Sequence, residues 1–159
     1  MKNKILERTS KGAADVPQRL KVINRTQLHA VLATVSGGKP YTSLVAFALT
    51  PDTRYILFTT PRKTRKYRNI VKNRNVSLLI HTAINSSKDY KNAEALTIQG
   101  KAYPVRKGRK RTELAGVLAG KHPDLESFIN SADTALVIVE AEYCVHVDSF
   151  QKVTEWRLR

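Results

Sequence analysis

A single cysteine, Cys144, stands in a chain of 159 residues. It leaves no partner for an intrachain disulfide and is compatible with a reducing compartment. Long apolar runs are also missing: none approaches the roughly 20 residues that a membrane-spanning helix needs. The charged start Met1-Lys2-Asn3-Lys4 has no apolar stretch behind it of the kind a secretory signal carries. Internal repeats, low-complexity segments and linkers are absent too. These absences lead to the expectation of a soluble, cytoplasmic protein with no membrane contact. It should form one domain over residues 1–159, with an N-terminal helix and a C-terminal tail, large enough to bury a core unaided.

Acidic residues are the other scarcity. Thirteen Asp and Glu face 28 Lys and Arg, a formal net charge of +15. Such a field attracts phosphate-bearing ligands and polyanions such as nucleic acid. The excess is concentrated in two places. Residues 62–74 hold Arg62, Lys63, Arg65, Lys66, Arg68, Lys72 and Arg74 with no acid among them, and residues 101–111 hold Lys101, Arg106, Lys107, Arg109, Lys110 and Arg111, again unopposed. Either segment can be read as a solvated basic face or as an anion site.

Periodicity predicts the elements. Asp15 can cap a helix running to Thr26, with Val16, Leu20 and Ile23 on one face. His29 to Val35, Tyr41 to Thr50 and Arg54 to Thr60 read as strands separated by the turns Ser36-Gly37-Gly38-Lys39 and Pro51-Asp52-Thr53, which makes an antiparallel meander. Thr64 to Asn73 reads as a helix, Val76 to Thr82 as a strand, Ala83 to Asn92 as a loop and Ala93 to Val105 as a strand. Gly100 in that strand suggests a bulge or a close backbone approach. Lys107 to Lys121 and Pro123 to Asn130 read as helices. Thr134 to Ser149 reads as a long last strand with Ala135, Val137, Val139, Ala141, Tyr143, Val145 and Val147 on one side. The predicted fold class is mainly β (α+β): a six-stranded antiparallel split β-barrel with a few flanking helices.

The stretch from Leu57 to Ile70 carries the most chemistry. A strand ends in Thr59-Thr60, and a helix then starts at Thr64 with Arg65 and Lys66 in its first turn. Cations there oppose the helix dipole by about 0.3–1 kcal/mol each at an exposed site. A phosphate bound at the free N–H groups of the helix start would offset that cost.

Five features follow one another in order: Ser43-Leu44-Val45-Ala46-Phe47, the strand end Thr59-Thr60, Thr64-Arg65-Lys66, the strand Asn73-Arg74-Asn75-Val76-Ser77-Leu78-Leu79-Ile80, and Gly100-Lys101-Ala102. This order resembles the pyridoxamine 5′-phosphate oxidase-like flavin proteins over roughly residues 28–105. The resemblance implies FMN held in a groove between the two subunits of a homodimer, and a flavin-dependent oxidoreductase whose small-molecule substrate is unassigned. By the same resemblance, Arg65 and Lys66 grip the phosphate beside Thr64. Phe58, Thr59 and Thr60 form the adjoining strand end, and Ser43, Leu44, Val45, Ala46, Phe47 and Ala48 form the strand along the flavin ring. On the residues alone, Val45, Phe47 and Leu49 can equally be plain core.

The chain departs from the oxidase in two respects. None of its histidines has Arg two residues before it, as the oxidase ending Arg-Xaa-His requires, and Ala95 stands near where the family often has Gln. The vitamin oxidase activity itself is therefore not expected. A deazaflavin in place of FMN, or a basic nucleic-acid-binding barrel without catalysis, are the alternatives. Metal spacing is absent, and Cys144 with His146 reads as a half-exposed strand face beside Glu140, Glu142 and Asp148 rather than a metal or haem site. No catalytic acid–base pair can be named, because a flavin performs most of its own redox chemistry.

Overall fold

The computed structural model describes residues 7–8, 16–148 and 152–157. The expected cap Asp15 and Ser149, the predicted end of the last strand, lie outside the described residues.

The elements are β1 (Glu7–Arg8), α1 (Val16–Thr26), β2 (His29–Ser36), β3 (Lys39–Leu49), β4 (Tyr55–Pro61), α2 (Arg65–Lys72), β5 (Asn75–His81), α3 (Asp89–Asn92), β6 (Ala95–Pro104), α4 (Arg109–Lys121), a 3-10 turn (Pro123–Leu125), α5 (Glu126–Ile129), β7 (Thr134–Asp148) and β8 (Lys152–Arg157). Alternation of buried and more exposed residues marks β2, β5 and β6. The sheet order β7-β4-β3-β2-β5-β6 returns to β7, so six antiparallel strands close into a barrel; β8 and β1 extend the sheet beyond β7. The Gly37-Gly38 hairpin is tight because both glycines adopt positive φ, 56° and 72°, which side chains resist.

The barrel interior holds Leu32, Val45, Phe47, Phe58, Leu78, Ile80, Leu96, Ile98, Val137 and Val139, and α1 plugs it with Leu20 and Ile23. A second core lies outside the barrel, where Ala115 and Leu118 of α4 and Ile129 of α5 cover Ala48, Leu57 and Leu136.

Three expectations fail here. The odd positions of β7 do not all share a face. Opposite Gln99 and Gly100 the register jumps from Tyr143 to Ala141, leaving Glu142 as an extra residue. A bulge of this kind reverses the alternation beyond it, so Val137 and Val139 point inward on one side of it and Cys144 and His146 on the other. Cys144 and His146 are consequently buried at 1% and 6% exposure, not half-exposed. Burial pushes the Cys144 thiol up to about 12, which leaves it unreactive at neutral pH. His146 Nε2 lies 2.7 Å from Glu94 Oε2, and Glu94 also receives the Arg19 guanidinium, a paired network that ties α1 to the barrel wall. The segment 83–92 read as a loop contains the single turn α3, pinned by the Asp89 carboxylate accepting from the backbone N–H groups of Ile84 and Ser86.

Candidate functional site

The barrel splits between β3 and β4. These strands pair only over Phe47–Leu49 and Ile56–Phe58. Residues 39–46 of β3 bond β2 on one side and, among the described residues, no strand on the other. An edge of this kind presents backbone donors and acceptors to whatever lies beside it.

The fork is held open by fixed contacts on its closed side. The carbonyl of Phe47 accepts from His122 Nε2 at 2.8 Å, and the Leu49 N–H donates to Asn24 Oδ1 at 3.0 Å. The Lys121 ammonium lies 3.7 Å over the Phe47 ring, where burial pushes its pKa down to about 8.

At the open end, α2 begins. Thr64 caps it: its hydroxyl accepts from the Tyr67 N–H, donates to the Pro61 carbonyl at 2.9 Å, and lies 2.8 Å from the Thr60 hydroxyl. A cap of this type stabilises a helix by about 1 kcal/mol. The Arg65 guanidinium stacks over the Tyr41 ring at 4.9 Å and so spans the split from α2 to β3. Lys66, half-buried, has no ion pair or hydrogen bond among the described residues. Asn69, buried on the inner face of α2, donates to Thr34 Oγ1 at 2.9 Å and fixes the helix on the barrel mouth.

The predicted site residues divide into two groups. Thr64, Arg65 and Lys66 stand at the start of α2, where Arg65 reaches Tyr41 of β3; Ser43, Ala46 and Thr59 are half-buried on β3 and β4, and Leu44 is exposed on the outer face of β3. Val45, Phe47 and Phe58 are core, Thr60 is buried against Thr64, and Ala48 lies beneath α4, where a ring cannot reach its side chain. Ser43 Oγ is buried with no hydrogen-bond partner among the described residues. Orphaned buried hydroxyls are rare and costly. Sequence reasoning missed Tyr41, His122 and Asn24, whose roles depend on long-range neighbours. No group of three or more His, Cys, Asp or Glu among the described residues is placed to hold a metal, and no described helix is long and apolar enough to cross a membrane.

The sequence model of the pyridoxamine 5′-phosphate oxidase family matches residues 17–146, a span that includes the first five strands of the closed barrel, most of β7 and the whole split. The chain belongs to this family. No curated protein matches it in sequence. Solved structures of the same fold include a heme binding protein from Mycobacterium smegmatis (15% identity, TM-score 0.76, covering 87% of this chain and 56% of that one). General Stress Protein 26 from Bacillus anthracis str. Sterne is similar at 17% identity and TM-score 0.67, over 91% of this chain and 99% of that one. The heme storage protein HutZ from Vibrio cholerae is similar at 19% identity and TM-score 0.63, over 79% and 89%. This chain spans about half the length of the M. smegmatis protein, and at these identities the likeness is one of fold.

Proposed function

We propose that the split holds FMN and that the protein is a flavin-dependent oxidoreductase of unassigned substrate. The observation that carries this reading is the juxtaposition of a free strand edge, an orphaned buried hydroxyl and a basic helix start. Arg65, Lys66 and the first N–H groups of α2 would take the phosphate. The edge of β3 from Ser43 to Ala46 would meet the polar rim of the ring, and Ser43 Oγ would gain the partner it lacks. The bound flavin would supply two-electron transfer, and the chain's own residues would bind and orient it.

Titration with FMN, followed by flavin fluorescence and by the absorption spectrum of the complex, tests the reading. Stoichiometric binding with oxidised-flavin bands is expected, with riboflavin bound far more weakly. Equal affinity for riboflavin would remove the phosphate assignment. Binding of haem with a Soret band, and no binding of flavin, would overturn the cofactor.

We infer further that the groove is completed by a second copy. Leu44, Val31 and Leu79 stand in one cross-strand row on the outer face of β3, β2 and β5, with Leu44 63% and Leu79 37% exposed. An apolar row beside a hollow of about 340 Å³ at Ala33, Val35, Ser77 and Gln99 suits burial against another subunit. Leu79→Glu is expected to give a monomer in sedimentation that has lost FMN. A monomeric variant still holding one FMN per chain would show that one subunit suffices.

A further inference from the structure

The two basic segments are far apart in sequence but adjacent in space. Pro61 at the end of β4 and Pro104 at the end of β6 both pair with the first residues of β7, one on each side, with Thr134 and Val137 respectively. The Arg62 guanidinium donates to the carbonyls of Ala132 (2.7 Å) and Thr134 (3.3 Å). Arg111, from the first turn of α4, donates to the carbonyls of Ile129 and Thr134, both at 3.2 Å. Thr134 thus holds two guanidiniums side by side on one oxygen. Neither has a carboxylate partner among the described residues.

Further cations surround this junction. Lys63, Arg65, Arg68 and Lys72 are exposed on one side, and Arg106, Lys107, Arg109 and Lys110 on the other. Among the described residues only Arg109 of these is offset, by an exposed pair with Glu113. The first turn of α4 has no acid, and Gly108 before it offers no capping side chain, so the helix start adds to the positive field. Like charges gathered in this way repel one another unless a polyanion lies across them.

We propose that this end of the barrel is a docking surface for the phosphate backbone of duplex nucleic acid. A single strand would need exposed rings on which to stack bases. Here the Tyr41 and Tyr103 rings are already covered by Arg65 and Arg74, and no aromatic of the two segments is among the exposed large side chains. A membrane would need a cluster of apolar side chains to insert, and the large apolar side chains exposed there among the described residues are only Val71 and, at 38%, Phe128. What is left is a broad field of flexible cations, which suits a rod of phosphates read without regard to sequence.

The test is fluorescence anisotropy of the full chain with a short labelled DNA duplex of mixed sequence, across a range of salt. Log affinity should fall linearly with log salt. The combined variant Lys107→Gln, Arg109→Gln, Lys110→Gln should lower that slope by about 2.7, weaken binding roughly 10²-fold at about 0.1 M salt, and leave FMN binding and the melting temperature as they are. A control at the opposite end of the barrel, Lys21→Gln, Arg25→Gln, Arg54→Gln, should leave the slope as it is. The proposal is overturned if the wild-type chain does not bind, or if the two variants lower the slope equally. It is equally overturned if phosphatidylserine vesicles or poly-glutamate bind more tightly than the duplex at the same salt.

Discussion

Lys66→Glu should abolish most FMN affinity while the protein folds as before. Lys66 touches no partner among the described residues, so its loss removes no ion pair or hydrogen bond from the fold. Reversing its charge at the start of α2 replaces a charge-assisted hydrogen bond to phosphate, worth about 1.5–3 kcal/mol, with repulsion. The combined loss should reach about 3–4 kcal/mol, a factor of several hundred in dissociation constant. Riboflavin has no phosphate, and its weaker affinity should change little. Calorimetric titration of wild type and variant with both ligands measures the contrast. Equal FMN binding by the two proteins would place the phosphate elsewhere.

Gly100→Ala should have the largest effect on stability. A Cβ at this position would lie 2.1 Å from the carbonyl oxygen of Glu140, in backbone that neither β6 nor β7 can move without breaking the ladder. Overpacking of this severity costs about 3 kcal/mol. For a domain of this size, that lowers the melting temperature by roughly 6–12 °C. Thermal denaturation followed by far-ultraviolet circular dichroism would detect it. A variant within a degree or two of wild type would mean that the bulge relaxes freely.

Gly100 also illustrates how far the sequence is legible. The residue itself announced a close backbone approach, and the structure agrees. Its consequence, the reversed alternation beyond Glu142, was hidden because a bulge is a property of two strands and only one was being read. Cys144 and His146 were misplaced for that reason. The Gly37-Gly38 hairpin and the helix starting after Thr64 were readable because turn chemistry and capping act within a few residues. Of the candidate site, the position of Thr64, Arg65 and Lys66 at a helix start was legible from their place after a strand. The burial of Ala48 was not, since it depends on α4, which begins 61 residues later at Arg109. β8 escaped notice because Lys152 to Arg157 alternates weakly and gains its identity from pairing with Tyr143 to Asp148. The convergence of Arg62 and Arg111 on Thr134 is likewise a product of topology.

The placement of β7 has a kinetic consequence. This strand lies between β4 and β6 and bonds both, yet it is made after every other strand of the barrel. On the ribosome, β2, β3 and β4 can form a local meander early, and β5 and β6 can add to β2. The ring stays open until residues 134–148 emerge, and its closure joins segments separated by more than 70 residues. Chains dominated by such distant pairings fold slowly. The nascent protein therefore spends its longest exposed interval with the edges of β4 and β6 bare, and this interval is where chaperone capture or strand exchange between neighbouring chains would act.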